Sequence, residues 1–178
     1  GRVTSVSICK DELQCIIVNH PSSNIDLCFI RVGLILDLSK YKYFALTQKD
    51  IILQDEEQEL GIFEEVFIVG YPNSLQDEFN NLPIFLKGYN STLISNDYNG
   101  IEAFLVNATI FPGSSGSPVY LYQSDKKSPK LVGVVYASHV YNPKKMILEI
   151  PNGLGLALKA RKIEKFLTQP FFTTVQFT

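Results

Sequence analysis

The chain has 178 residues, 46% of them apolar, enough for one sizeable core or two small lobes. A net charge of −2 excludes the basic footprint of a nucleic-acid binder, and no apolar run is long enough to span a bilayer as a helix. Three cysteines (Cys9, Cys15, Cys28) and two histidines, with no CxxC, make neither a disulfide framework nor a metal set, so no metal or other cofactor is expected. A Cys9–Cys15 bridge is compatible with the spacing. Free thiols are the simpler reading and lean towards a reducing, intracellular setting. The leading GRVTSVSICKDEL has no apolar h-region and does not read as a signal peptide.

Taken in order, short β-rich runs recur between turn residues. They are VTSVSI (3–8), QCIIV (14–18), DLCFIRV (26–32), EEVFIVG (64–70), PIFLKGYNSTLI (83–94), AFLVNAT (103–109), SPVYLY (117–122), KLVGVVYAS (130–138) and MILEI (146–150). Many short, punctuated strands predict an all-β barrel or sandwich. Segment 38–63 contains an acidic run, DEEQE (55–59), read as a solvated connection between lobes. LALKARKIEKFLTQ (156–169) places Leu158, Arg161, Ile163, Phe166 and Leu167 at helical spacing ahead of Pro170, which predicts a closing helix.

The loop NATIFPGSSGSPVY (107–120) has the chemistry of a nucleophile loop. A serine hydroxyl attacks only when a base takes its proton. The carbonyl oxygen it attacks becomes an anion that needs preorganised N–H donors. Two amides, two residues apart in a tight turn, meet that need, and glycine suits the first because the turn requires unusual dihedrals. In PGSSGSP, Ser115 is then the nucleophile, Gly113 and Ser115 donate the amides of an oxyanion hole, and Gly116 leaves clearance. The plain alternative is a Gly/Ser/Pro turn between two strands.

Gly113-Ser114-Ser115-Gly116-Ser117-Pro118-Val119 resembles the nucleophile loop of trypsin-like serine peptidases of the chymotrypsin fold, in the form carried by bacterial, viral and glutamyl-endopeptidase-like members. Ser114 stands where many members have Asp or Asn, and Ser117 where the commonest have Gly. Four further stretches are similar to landmarks of that family, in the same order along the chain. SNIDLCFIRV (23–32) resembles the segment carrying the catalytic aspartate, and VFIVGYP (66–72) the first strand of the second barrel. LVGVVYAS (131–138) resembles the strand lining the primary pocket, and NGLGLALKARKIEKFL (152–167) the closing strand and helix. The resemblance implies a chymotrypsin-like double β-barrel with a C-terminal helix. Residues 1–47 would form the rear of a first, incomplete barrel, 48–63 a linker, and 64–170 the second barrel. It implies an endopeptidase acting on peptide or protein substrates through an acyl-enzyme on Ser115, with Asp26 as the triad acid.

The resemblance does not supply a base. The family's histidine precedes its aspartate by tens of residues, and none of residues 1–25 carries that motif, so the base is expected upstream of this chain. His20-Pro21 matches a non-catalytic pair in the loop before the aspartate, although six residues of loop do not forbid a closer role. His139 follows the pocket strand. The alternative is an inactive peptide-binding relative on the same fold. The implied primary pocket is walled by Thr109, Ile110, Val135, Tyr136, Ala137 and Ser138. It has no acidic base for Lys or Arg and no cation on the pocket strand, which predicts a small or medium apolar P1 side chain. Tyr136–Ser138 would pair with substrate backbone. The long polar stretch 71–83 reads as an exposed connection or a cleft rim. Asn90-Ser91-Thr92 and Asn107-Ala108-Thr109 fit the glycosylation sequon.

Overall fold

The computed structural model describes residues 7–40, 43, 45–80, 82–122, 129–141 and 150–168, and for 139–141 and 150–152 the backbone alone. Backbone contacts divide the chain into two units, Gly1–Ala45 and Leu46–Thr178.

The first unit begins with helix α1 (Lys10–Ile16), which runs directly into strand β1 (Ile17–Asn19). The run 14–18, expected as a strand, is therefore helical through Ile16. The cause is the N-terminal cap. Cys9 Sγ accepts the Glu12 N–H at 3.4 Å, and the Glu12 carboxylate accepts the Cys9 N–H at 2.9 Å. A helix started there continues until the backbone turns extended at Ile17. β1 pairs antiparallel with β2 (Cys28–Ile30), with Val18 opposite Phe29. Arg31 ends the second strand. Its backbone N–H bonds the Ile16 carbonyl at 3.0 Å and its guanidinium the Cys15 carbonyl at 2.8 Å. Of the expected strand 3–8, residues 3–6 lie outside the described residues, and Ser7 and Ile8 are not in a strand. Cys9, Cys15 and Cys28 are all free and exposed, so the Cys9–Cys15 bridge is not formed.

The second unit is a closed six-stranded antiparallel barrel, as the β-rich pattern predicts. Its strands are β3 (Glu65–Gly70), β4 (Ile84–Asn90), β5 (Ala103–Asn107), β6 (Pro118–Leu121), β7 (Lys130–Tyr141) and β8 (Ile150–Lys159), in the circular order β3-β4-β5-β8-β7-β6. Val66 and Ile68 of β3 alternate inward, as do Val119 and Leu121 of β6. β5 is buried from Ala103 to Val106, on both faces, and β4 and β8 pair with its two edges. With its closing helix this barrel has the architecture of the chymotrypsin-like class.

Three elements depart from the sequence pattern. β4 stops at Asn90 instead of running to 94. The Asn90 side chain is fully buried, accepting the Glu64 N–H at 2.6 Å and donating to Gly61 O at 2.7 Å and Thr92 O at 3.1 Å. It is spent on folding the corner, which closes the first sequon to modification. The helix expected over 156–169 starts at Ala160, as α3 (Ala160–Leu167). Leu156–Lys159 instead complete β8, where Leu158 pairs with both Ala103 and Val134, and two ladders outweigh helical periodicity. Position 169 of that helix, and residues 146–149 of the expected strand 146–150, lie outside the described residues. The acidic run 55–59 lies largely in a short helix, α2 (Gln54–Gln58), and Glu57 is fully buried. The segment carrying it lies on β7. Ile51 and Ile52 are buried, the Ile52 N–H bonds Leu131 O at 3.0 Å, and Lys130 Nζ reaches Lys49 O and Glu56.

Glu57 is tolerable inside because Arg161, at the start of α3, reaches it. The Arg161 guanidinium joins Glu57 at 3.3 Å, Glu102 at 3.0 Å and Asp97, while the fully buried Lys159 joins Asp97 at 2.7 Å. Burial pushes the Glu57 carboxyl up, with Arg161 and Lys159 opposing. Partial burial also pushes Glu102 up, but Lys162 and Lys165 prevail and hold it near 2. Arg161→Met should cost about 3–5 kcal/mol in denaturant unfolding, by stranding Glu57, and Glu57→Gln in the same chain should restore part of it. For acid dependence the sign follows Glu102. Its depressed carboxyl stabilises the fold above its ordinary 4.5, and that contribution is lost as pH falls toward about 2. Glu57 acts the other way, its contribution declining as pH rises above 4.5. A lower unfolding midpoint at pH 3 than at pH 7, lessened in Glu102→Gln, checks this.

Candidate active site

Between β5 and β6 the chain makes two tight turns. The Ser114 N–H bonds Phe111 O at 3.0 Å, and the Phe111 N–H returns to Ser114 Oγ at 3.4 Å. The Ser117 N–H bonds Ser114 O at 3.0 Å. Ser114 is only 1% exposed, so the residue standing where an acid is common serves as the internal pin of the loop. Gly113 and Gly116 are left-handed, at φ 86° and 87°, a region costly for any residue with a Cβ. The far side is tied to β7. The Gly116 N–H bonds Val135 O at 2.8 Å and the Val135 N–H bonds Ser117 O at 2.9 Å.

Ser115 sits at the crest of this loop and is exposed. Its hydroxyl donates to the Tyr136 carbonyl at 3.3 Å. The amides of Gly113 and Ser115 donate to no described residue. An exposed hydroxyl thus stands in the same loop as two amides that have no partner among the described residues.

The loop is held from one side by the residues that follow β3. Gly70 faces Ser117, and a Cβ on Gly70 would overlap Ser117 Oγ. Tyr71 O lies 3.1 Å from where a Cβ of Gly113 would stand, and the Asn73 N–H bonds Pro112 O at 2.8 Å. The stretch 71–83 thus starts as a support of the loop. Only beyond it does the chain become an exposed connection, in which Asp77 caps the Phe79 and Asn80 amides. Sequence reasoning missed Gly70 and Asn73, and the turn chemistry of Tyr71-Pro72-Asn73-Ser74 was the signal available.

Of the implied pocket residues, Val135 is fully buried and Ile110 is 5% exposed. Ile110 packs directly over the backbone of Gly155 in β8. Tyr136 and Ala137 are half-buried, and burial pushes the Tyr136 phenol up. Thr109 and Ser138 are exposed.

Asp26 and His20 belong to the first unit. Asp26 is exposed, in the loop between β1 and β2, and its carboxylate pairs with no described residue. His20 starts that loop. Its Nδ1 accepts the Ser22 N–H at 3.1 Å, and its backbone N–H bonds Leu27 O at 2.8 Å. An Nδ1 that accepts has no proton to give a carboxylate, so His20 here lacks the tautomer a triad base needs. His139 lies in β7, its side chain outside the described residues. Among the described residues no group of three or more His, Cys, Asp or Glu side chains could hold a metal, and no helix is long and apolar enough to cross a membrane.

The family model described as Trypsin-like peptidase domain matches residues 2–134, a span that contains both Asp26 and Ser115. No curated protein matches the chain.

Packing of Gly70 against Ser117 makes a double-mutant expectation. Gly70→Ala should cost about 1–3 kcal/mol, and Ser117→Gly, which removes the hydroxyl in the way, should recover most of it. Thermal unfolding of the four proteins of the cycle measures the coupling, and additive effects would count against the contact.

Proposed function

Because the chain belongs to the trypsin-like peptidase family, we propose that it is a serine endopeptidase whose nucleophile is Ser115. The observation carrying this reading is the exposed Ser115 hydroxyl beside the Gly113 and Ser115 amides that donate to no described residue. In the reaction a base takes the Ser115 proton as Oγ attacks the scissile carbonyl carbon. The carbonyl oxygen becomes an oxyanion held by the two amides, and collapse expels the amine, protonated by the same base, leaving an ester on Ser115. Water repeats the sequence on the ester and returns the hydroxyl. Asp26 is the proposed orienting acid, and the base a histidine supplied by polypeptide outside this sequence. His20 does not fill that role while its Nδ1 accepts the Ser22 N–H.

Substrate backbone is proposed to add alongside Tyr136–Ser138 of β7. The P1 side chain would enter beside Ile110 and Val135, with Tyr136, Ala137, Thr109 and Ser138 around it. Ile110, lying on Gly155, limits the depth and favours small apolar P1 groups. A second reading, a peptide-binding relative that does not cleave, draws on one observation. The Ser115 hydroxyl is engaged by a carbonyl, Tyr136 O, and not by a base.

A fluorophosphonate probe separates the two. The full-length protein should be labelled on Ser115, and Ser115→Ala should not. Wild-type protein left unlabelled where a control protease reacts would leave the binding module as the better account. For specificity, Ile110→Ala should raise kcat/KM for a Leu P1 ester relative to an Ala P1 ester by about 10-fold or more, since each methylene accommodated is worth about 1–3 kcal/mol.

A further inference from the structure

We propose that Asn73 is a positioning residue: its backbone N–H locks the Pro112–Gly113 peptide in the one orientation that turns the Gly113 amide outward, where an oxyanion would bind. The inference rests on the peptidase reading above and extends it to a residue outside the nucleophile loop.

The argument starts from the peptide unit. No peptide among the described residues is cis, so the carbonyl of Pro112 and the N–H of Gly113 point in opposite directions within one plane. Asn73 N–H holds Pro112 O at 2.8 Å. The Gly113 N–H must then point away from the 71–75 turn, and it donates to no described residue. If this peptide rotated by half a turn, the Gly113 N–H would face the Asn73 N–H, donor against donor. Pro112 O would occupy the place meant for the substrate oxygen. The turn closed by the Ser114 N–H on Phe111 O spans this peptide, but it bonds neither the Pro112 carbonyl nor the Gly113 N–H. The choice between an open and a blocked hole therefore lies with the group across from Pro112 O.

The turn that carries Asn73 is built at a conformational cost. Asn73 and Ser74 are consecutive non-glycine residues in the left-handed region, at φ 51° and 59°. The turn is closed by Ser74 N–H on Tyr71 O at 3.0 Å and Leu75 N–H on Pro72 O at 2.8 Å, with Pro72 buried beneath. It meets Gly113 directly, through Tyr71 O and the Asn73 nitrogen, 3.1 Å and 3.5 Å from where a Cβ would be. Asparagine is among the few side chains that tolerate such a backbone. Its identity at 73 is explained by the dihedral, and its use by the amide.

Two variants separate amide from side chain in the full-length protein. Asn73→Gly keeps the N–H and suits φ 51°, so fluorophosphonate labelling of Ser115 should stay within about 2-fold of wild type. Asn73→Val disfavours the left-handed turn, so labelling should slow by about 10²-fold, the effect of losing one oxyanion donor. For a peptide ester the loss should fall on kcat, with KM little changed. A folding-independent readout comes from the wild type, where NMR should detect scalar coupling through the hydrogen bond from Asn73 N to the Pro112 carbonyl carbon. Absence of that coupling, or Asn73→Val labelled at the wild-type rate, overturns the proposal. Wild-type protein that shows the coupling but is never labelled supports the brace and instead defeats the peptidase reading.

Discussion

The register between β3 and β6 is the constraint from which the site follows. Val66 lies opposite Leu121, Phe67 opposite Tyr120 and Ile68 opposite Val119. Antiparallel pairing sets the end of one strand beside the beginning of the other. The same register carried two residues further brings Gly70 to Ser117, and the chain leaving β3 has no course except past the loop entering β6. The 71–75 turn and the nucleophile loop are thus neighbours by barrel geometry, though some forty residues apart. A one-residue slip would exchange the inward and outward faces of β3 and expose Val66 and Ile68, so core burial holds the register.

The charged cluster plays a comparable part at the junction of β8 and α3. Arg161 and Lys159 stand where β8 becomes α3, and their partners come from α2 and from the segment 97–102. Interior ion pairs seldom add much net stability, because desolvation offsets attraction. What they impose is specificity of placement. A guanidinium shared among Glu57, Asp97 and Glu102 is satisfied in one arrangement, and that arrangement seats Ile163 and Phe166 of the helix in their buried positions.

Much of the barrel was readable because its strands obey alternation, and because Ser115 stands among residue types a nucleophile loop requires. The misreadings have separate physical causes. α1 was hidden because cysteine supplies its N-cap, a role usually held by Ser, Thr, Asp or Asn. Glu57 read as solvated because its partner Arg161 lies 104 positions away, beyond any local charge pattern. Leu156–Lys159 looked helical because short apolar runs carry both periods, and only pairing with β5 and β7 decides between them. Asn73 could be read as a turn residue, but not as a support. The group it uses is a backbone amide, which every residue but proline possesses.

The order of strands around the barrel also bears on how such a chain acquires its shape during synthesis. Among the described strands of the barrel β8 is made last, yet it lies between β5 and β7. Until it leaves the ribosome, β5 has one unpaired edge and the wall cannot close. Ala103–Val106, buried on both faces in the finished protein, meanwhile present an apolar ribbon to the surroundings. Closure of the barrel therefore waits for β8, a pairing of residues about fifty positions apart in the chain.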